Sequence, residues 1–363
     1  MCPISGQIAF KGVKVKIQKI KKGGISMKKF VFIVLSLFFA ISLWATPDYM
    51  SGIVTMKFDM SQYHKGKIVK LWLPYPVSNE YQNITDVKIR GNFVRSGVYA
   101  EKKYGNLLFY AEWDKNATQR ELTFSFKAKR KYLKNYPYPE KELPWNKNDF
   151  KIYLKGSKLA PVNQIVKKLA EEIVKGKKNI PEKARAIYMW VCKNTYRNPK
   201  TRGCGKGDLC RLLKDPGGKC ADLSTIFVSL CRAVGIPARE IFGIRLGKKD
   251  SQNITKGYHC WAQFYIPGYG WYSVDPADVR KMMLIKNISW NDKKTKYFVK
   301  FYWEGIEPYR IELSTGKDIT LNPAPKNSPI NYFMYPYAEV NGKTVDFLAP
   351  NKFKYSIRWK ALP

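Results

Sequence analysis

The chain has 363 residues, and its 65 lysines and arginines outnumber its 28 acidic residues to give a formal net charge of +37. This length is enough for two or three domains. The charge is scattered lysine without an arginine–aromatic patch, so nucleic acid is not an expected partner, and a lysine-rich genome or a hot habitat would give the same excess. An anionic envelope surface remains a candidate partner, and the oligomeric state stays open.

The segment from Met27 to Ala45, MKKFVFIVLSLFFAISLWA, has two lysines, an apolar run and a small residue before Thr46. This pattern predicts a secretory signal peptide that is cleaved near Ala45, which places the mature protein in the periplasm, the envelope or the medium. The apolar run is short for a spanning helix, so an uncleaved anchor is the minor alternative. A signal peptide should begin a chain, so residues 1–26 are interpreted as a non-native upstream extension without a folded role. Cleavage removes eight lysines and no acid, which leaves 318 residues with a charge of +29.

Short segments of alternating hydrophobicity fill residues 48–140 and predict an N-terminal antiparallel β domain, which we interpret as a β-sandwich. These segments are GIVTMKFDM, KIVKLWLPYP, NLLFYAEW and ELTFSFKAKRKYL. A linker, YPYPEKELPWNKND, follows the last of them.

The region 155–290 has helical patterns first and strand patterns later, which indicates an α+β core. One helix is predicted to follow Pro161, and a second is predicted to begin at Pro181. After residue 295 the chain returns to β character, so residues 295–363 either extend the core sheet or form a small C-terminal β region. The segments concerned are YFVKFYWEG, YRIELS, DITLNP and NYFMYPYAEV.

The stretch GGKCADLSTIFVSLCRAVGIPAR places Cys220 at the start of a predicted amphipathic helix. Pro216, Gly217 and Gly218 disfavour an earlier start, and Gly235 ends the helix. The unpaired N–H groups and the positive dipole end of a helix stabilise a thiolate at this position. Cys220 is therefore a candidate nucleophile, although a buried structural thiol, as expected for Cys231, is the alternative.

A second segment, GYHCWAQFYIPGYGWYSVDPAD, predicts a β-hairpin with His259 on one strand and Asp275 on the other. A cysteine nucleophile needs these partners, a base and a carboxylate that orients the base. The other histidine of the chain, His64, lies in a polar stretch and is expected to be a solvated turn residue.

Both hairpin residues must face the same side of the sheet, which requires an odd number of loop residues. A three-residue loop opposes Ile266 to Gly270 and leaves His259 diagonal to Asp275, within reach of a hydrogen bond. A four-residue loop would turn Asp275 to the other face, and Asp278 would then become the candidate third member.

The remaining cysteines allow two further hypotheses. Cys204 and Cys210 lie close together in TRGCGKGDLC and could form a disulfide in an oxidising compartment. A zinc site is the rival interpretation, but no C-x-x-C motif is present and the spacings are irregular, so no metal and no other cofactor is expected.

The order Cys, His, Asp, with GGKCADLS opening the helix, RAVGIPAR closing it and HCWAQFY followed by VDPAD, resembles the transglutaminase-like superfamily. The likeness is strongest to bacterial exported members grouped with papain-type thiol enzymes and covers about residues 155–290. It implies an α+β fold in which the nucleophile helix packs on an antiparallel sheet, between the N-terminal β-sandwich and the C-terminal β region. It also implies Cys220 as nucleophile, His259 as general base and acid, and Asp275 as orienting carboxylate.

These residues predict acyl transfer through a thioester on Cys220, with a protein or peptide as substrate. If water resolves the thioester, the protein is a peptidase or amidase, which we favour. If a lysine amine resolves it, the protein is a cross-linking transglutaminase. A third hypothesis is a non-catalytic envelope binding or assembly module. The Cys220 backbone N–H is the expected oxyanion donor, and Trp190 and Tyr196 are side-chain candidates for the same role, although either could equally pack in the core.

Overall fold

The structure is a computed structural model, and it describes residues 47–135 and 137–362. The predicted signal peptide, residues 27–45, and the upstream extension, residues 1–26, lie outside the described residues. Within the described ranges, no helix combines the length and the apolar character needed to cross a bilayer.

The strands of the described residues are, in chain order, β1 (Tyr49–Asp59), β2 (Val69–Pro74), β3 (Gln82–Gly91), β4 (Arg95–Ala100), β5 (Leu107–Trp113), β6 (Glu121–Lys131), β7 (Leu133–Lys134), β8 (Tyr196–Arg197), β9 (Gly217–Gly218), β10 (Ala238–Arg245), β11 (Ser251–Asn253), β12 (Tyr258–Ile266), β13 (Gly270–Val274), β14 (Gly305–Ile306), β15 (Arg310–Thr315), β16 (Tyr337–Val340), β17 (Lys343–Thr344) and β18 (Lys354–Ala361). The helices are α1 (Lys151–Leu154), α2 (Gln164–Ile173), α3 (Ile180–Asn194), α4 (Leu209–Lys214), α5 (Cys220–Ala233), α6 (Pro276–Lys286) and α7 (Lys293–Phe301), with a 3₁₀ turn at Lys147–Phe150.

Two five-stranded sheets form the β-sandwich, in the orders β11-β18-β1-β6-β3 and β17-β16-β2-β5-β4. Alternation along β1 buries Val54, Met56 and Phe58 between the sheets, which is the period-two pattern of a half-buried strand. The C-terminal strand β18 pairs with β1, and β16 pairs with β2. The two ends of the chain therefore build the sandwich together.

The core sheet has the order β13-β12-β10-β15 and is antiparallel throughout. Of the C-terminal segments, β15 extends this sheet, whereas β16, β17 and β18 join the sandwich. The C-terminal region therefore extends the core sheet in part, but its remaining strands complete the N-terminal sandwich and do not form a separate C-terminal unit. The boundaries 48–140, 155–290 and 295–363 stay predictions.

Helix α5 packs on the core sheet and is surrounded by α2, α3 and α6. Every residue from Cys220 to Arg232 is buried, so the helix is enclosed on all sides and not only along its apolar stripe. Among its buried polar side chains, Thr225 donates to Glu240 and accepts from the Lys317 ammonium group. This is the predicted α+β fold, with the Cys220 helix at its centre.

The strand predicted from YFVKFYWEG is wrong, because these residues lie largely in α7. The Asp292 side chain accepts the backbone N–H of Lys294 and starts the helix. Thr295 and Val299, four residues apart, are buried on one helical face. A short apolar run fits the helical and the strand period equally well. The Asp292 cap is therefore the feature that distinguishes a helix from a strand here. The DITLNP segment forms one isolated bridge, from Ile319 to Ile330.

Candidate active site

Cys220 is the first residue of α5, and its side chain is buried, with 2% of the residue exposed. The helix start is fixed by Asp222, whose carboxylate accepts the backbone N–H groups of Lys219 at 3.0 Å and Gly207 at 2.9 Å. Gly218 is required before it, because a Cβ there would lie 2.4 Å from the Cβ of Asp222. As the first helical residue, Cys220 has a backbone N–H that has no acceptor within its own helix.

The β12–β13 hairpin confirms the predicted register, with Ile266 opposite Gly270 and Gln263 opposite Ser273. His259 and Asp275 therefore face the same side, and His259 Nε2 lies 2.7 Å from Asp275 Oδ2 in a buried hydrogen bond. Because Nε2 is held by the carboxylate, Nδ1 is the ring nitrogen available to the thiol of Cys220.

The pKa of the Cys220 thiol is held well below its ordinary value. Burial acts to raise it, but hydrogen bonds with the Cys204 and Cys260 thiols, together with the charge and hydrogen bond of His259, outweigh burial. Two buried thiols that do not contact Cys220 behave in the opposite way. Burial raises the pKa of Cys231 well above its usual value and that of Cys192 to about 12. Cys220 is thus electrostatically distinct from the structural thiols.

A buried network of arginines and carboxylates lies behind His259. Arg310 Nη1 is 2.6 Å from Asp275 Oδ2, and Arg310 Nη2 is 3.2 Å from Asp278 Oδ2. Arg245 Nη2 contacts both oxygens of Asp278 at 2.6 Å, and Glu307 accepts from Arg310.

Asp275, Asp278 and Glu307 supply three negative charges to this network, and the two arginines supply two positive ones. The five side chains therefore carry one more negative charge than positive, and this excess lies behind the imidazole of His259.

Asp278 has a pKa well below its ordinary range. Its burial opposes ionisation, but Arg245, His259 and Arg310 outweigh the burial. Its backbone N–H donates to Asp275 Oδ1 at 2.9 Å, so Asp275 both caps α6 and holds His259. Asp278 Oδ1 lies 3.9 Å from His259 Nε2, which leaves Asp275 as the hydrogen-bonded partner of the imidazole.

A groove of about 560 Å³ opens beside the thiols. Cys204 and Lys219 line it, and the Sγ of Cys204 lies within 4.8 Å of the Sγ of Cys220. Its walls are largely aromatic and aliphatic, and its charged lining residues are all basic: Arg197, Lys219, Lys256 and Lys354. The lining that the structure describes contains no acidic side chain.

Two comparisons decide the family. A sequence model of the transglutaminase-like superfamily matches residues 167–276, the range that holds the three site residues. An uncharacterized protein of Haemophilus influenzae is 36% identical over 319 residues, which cover 80% of this chain and 86% of that protein. The chain belongs to the transglutaminase-like superfamily. This is a superfamily of thiol enzymes.

Two solved structures were compared with this fold. A candidate cysteine protease from Cytophaga hutchinsonii superposes with a TM-score of 0.54 at 15% identity, covering 87% of this chain and 92% of that one. The periplasmic domain of TgpA from Pseudomonas aeruginosa gives a TM-score of 0.35 at 12% identity, over 70% of this chain and 93% of that one. The first likeness shows the fold alone, and the second is too weak to bear on it.

The secondary candidates from the sequence have other surroundings. Trp190 packs against the helical core, and the Tyr196 hydroxyl donates to Asp215 at 2.7 Å. His64 is exposed in a turn region, as expected. The proposed Cys204–Cys210 disulfide is wrong, because Cys204 is a free thiol packed beside Cys220 and Cys260. Its loop turns Cys204 inward to the nucleophile, where Ala221 donates its backbone N–H to the Cys204 carbonyl at 2.9 Å.

Sequence reasoning missed Arg245, Arg310 and Glu307, and it named Asp278 only as a substitute for Asp275. One signal was present: Arg245 ends an otherwise apolar strand pattern, IFGIR, where a charge needs a partner. Arg310 gave no comparable signal for its contacts with Asp275 and Asp278, because these partners are 35 and 32 residues away in the chain.

Proposed function

We propose that this chain is an exported thiol hydrolase that cleaves peptide or related amide bonds through a thioester on Cys220. The observation that supports this most strongly is the buried His259–Asp275 hydrogen bond beside a helix-start cysteine of depressed pKa. Membership of a thiol-enzyme superfamily supports the same reaction class. The roles assigned to the three residues are part of the proposal.

In the first half-reaction, the Cys220 thiolate attacks the amide carbonyl carbon, and the developing oxyanion accepts the Cys220 backbone N–H. The His259 imidazolium gives its proton to the departing amine nitrogen, and the C–N bond breaks to leave a thioester. In the second, neutral His259 takes a proton from water, which attacks the thioester. The C–S bond breaks, the acid product leaves, and the thiolate–imidazolium pair returns. Asp275 holds the ring in one orientation throughout.

The groove favours water over a lysine amine as acceptor. An amine acceptor arrives as a cation, and the four basic side chains of the lining repel it without any acidic group to offset them. The same lining suits an acyl donor that carries carboxylates beside apolar groups. A cross-linking transglutaminase remains the second candidate, because the same three residues would serve it.

Export is supported by the sequence of residues 27–45, which has the charge, the apolar run and the small terminal residue of a signal peptide. In that setting, the basic surface would also bring the protein to anionic components of the envelope. The proposed substrate is therefore an acidic peptide or protein segment outside the cytoplasm.

The test incubates the mature protein, and separately its Cys220→Ala variant, with a peptide library, with and without added methylamine. Mass spectrometry should show cleaved or deamidated products with the parent protein alone. Products that carry methylamine in preference to a new carboxylate would favour the transglutaminase. No product under either condition, with Cys220 inert to alkylation, would favour the non-catalytic binding module.

A further inference from the structure

Three thiols from separate parts of the chain meet at one point. The Sγ atoms of Cys204, Cys220 and Cys260 all lie within 4.8 Å of one another, and each residue is buried. Cys204 comes from the loop before α4, Cys220 from the start of α5, and Cys260 from β12, next to His259. Only folding brings them together, so the linear spacing that argued against a zinc site does not apply here.

The backbone around Cys204 is held in place from several sides. Its N–H donates to the Tyr335 hydroxyl at 2.9 Å, its carbonyl accepts from Ala221, and its thiol lies 3.4 Å from the Tyr258 carbonyl oxygen. Gly203 and Gly205 flank it with φ values of +55° and +94°, a backbone path that other residues rarely follow. Such a supported arrangement is what a metal site needs from its surroundings.

We propose that Cys204, Cys220 and Cys260 form a trithiolate site for a thiophilic divalent cation of the zinc class. Zinc–sulfur bonds of about 2.3 Å place the sulfurs of one ion roughly 3.8–4.0 Å apart, so the cluster needs only a small contraction. Three thiolates suit zinc or cadmium and do not suit hard ions that prefer oxygen ligands.

Charge balance selects a divalent ion. Binding converts one thiolate and two thiols into three thiolates, and it releases the protons of Cys204 and Cys260 to the solvent. The bound cluster then carries a net charge of −1, the same as the Cys220 thiolate carries alone. A monovalent ion would leave an extra uncompensated negative charge in a buried site.

The ion has a route in, because Cys204 lines the groove beside the cluster. Binding occupies the Cys220 sulfur, so Cys220 cannot attack a substrate carbonyl until the ion leaves. This site depends on the position of three thiols and not on the reaction proposed for Cys220, so either idea can fail while the other stands.

The test titrates reduced, metal-free mature protein with Cd²⁺ and follows the ultraviolet cadmium–thiolate charge-transfer absorption. The expected result is one ion per chain, displacement of Cd²⁺ by Zn²⁺, and about two protons released per ion in a weakly buffered solution with a pH indicator.

Cys204→Ser and Cys260→Ser should each weaken binding by about 10- to 100-fold or more. Cys231→Ser is the matched control, because Cys231 is a buried thiol of α5, the helix of Cys220, but lies outside the cluster. This variant should bind Cd²⁺ as the parent does. Far-ultraviolet circular dichroism checks that each variant is folded. Parent-like binding by folded Cys204→Ser or Cys260→Ser, or binding equally weakened by Cys231→Ser, would overturn the proposal.

Discussion

Arg310 and His259 bind the same oxygen of one carboxylate, Asp275 Oδ2, at 2.6 Å and 2.7 Å. The guanidinium fixes the position of this carboxylate, so the imidazole contacts a stationary hydrogen-bond acceptor. Arg310 therefore acts on His259 through Asp275 and is a positioning residue.

Replacing Arg310 by methionine should destabilise the protein by about 3–5 kcal/mol, because the carboxylates of Asp275, Asp278 and Glu307 lose a buried partner. Urea unfolding measures the change. The matched control is Arg95→Met, which breaks an ion pair with Glu112 in which the arginine side chain is 62% exposed, and it should leave stability nearly unchanged. Equal stability of parent and Arg310→Met would show that the network is not coupled as described.

The two tasks of Asp275 can be separated by substitution. Asp275→Asn keeps a good helix cap for α6 but removes the charge that faces His259, whereas Asp275→Ala removes both. We expect kcat to fall by about 10²- to 10⁴-fold in both variants. Only the alanine variant should also show a clearly lower free energy of unfolding. Full activity in Asp275→Asn would remove the need for a carboxylate at this position.

Cys220 should be the most reactive thiol of the mature protein at mildly acidic pH. Its pKa is depressed by His259 and by neighbouring thiols against the effect of burial, whereas burial raises the pKa values of Cys192 and Cys231. Brief iodoacetamide labelling and peptide mapping measure the order of reaction.

The pH profile of that labelling tests the pairing with His259. In His259→Gln, the midpoint for alkylation of Cys220 should move to higher pH, because the cation that favours the thiolate is gone. The same change at His64, which is exposed, serves as the control and should leave the midpoint in place. An unmoved midpoint in His259→Gln, or labelling of Cys231 before Cys220, contradicts the assignment.

Asp278 should make the protein acid-sensitive. Its folded pKa lies below its unfolded one, because Arg245, His259, Arg310 and Lys281 outweigh burial, so its contribution is present at pH 7. That contribution is lost as the pH falls below the ordinary carboxyl pKa of about 3.9 toward the folded value. Asp278→Asn should therefore be less stable than the parent at pH 7, and urea unfolding curves of the two should converge below about pH 4. A gap that stays constant with pH would contradict this linkage.

The mature N-terminus is expected at or near Thr46. The reason is the signal pattern, which predicts cleavage after Ala45. N-terminal sequencing of the protein recovered from the native envelope tests this. A chain that retains residues 30–44 would be membrane-anchored instead.

Local patterns were sufficient to predict much of this site. The helix start at Cys220 follows from the glycines and the apolar spacing. The His259–Asp275 contact follows from the parity of the hairpin loop, and the strand pairing that sets Ile266 opposite Gly270 confirms it. Contacts between distant segments were not predictable in this way. Arg310 contacts Asp275 only because β15 packs into the core sheet, and Cys204 contacts Cys220 only because the loop before α4 folds against α5. No periodic pattern in the sequence indicates either contact.

The measurement that bears most directly on the account is the detection of the acyl-enzyme. The mature protein is mixed with the peptide library, quenched in acid within the first turnovers, digested and mapped by mass spectrometry. We predict an acyl group on the Cys220 peptide that hydroxylamine removes, as it does a thioester, and none in Cys220→Ala. Amide cleavage that persists in Cys220→Ala, or an acyl group carried by any other side chain, would contradict a thioester mechanism at Cys220.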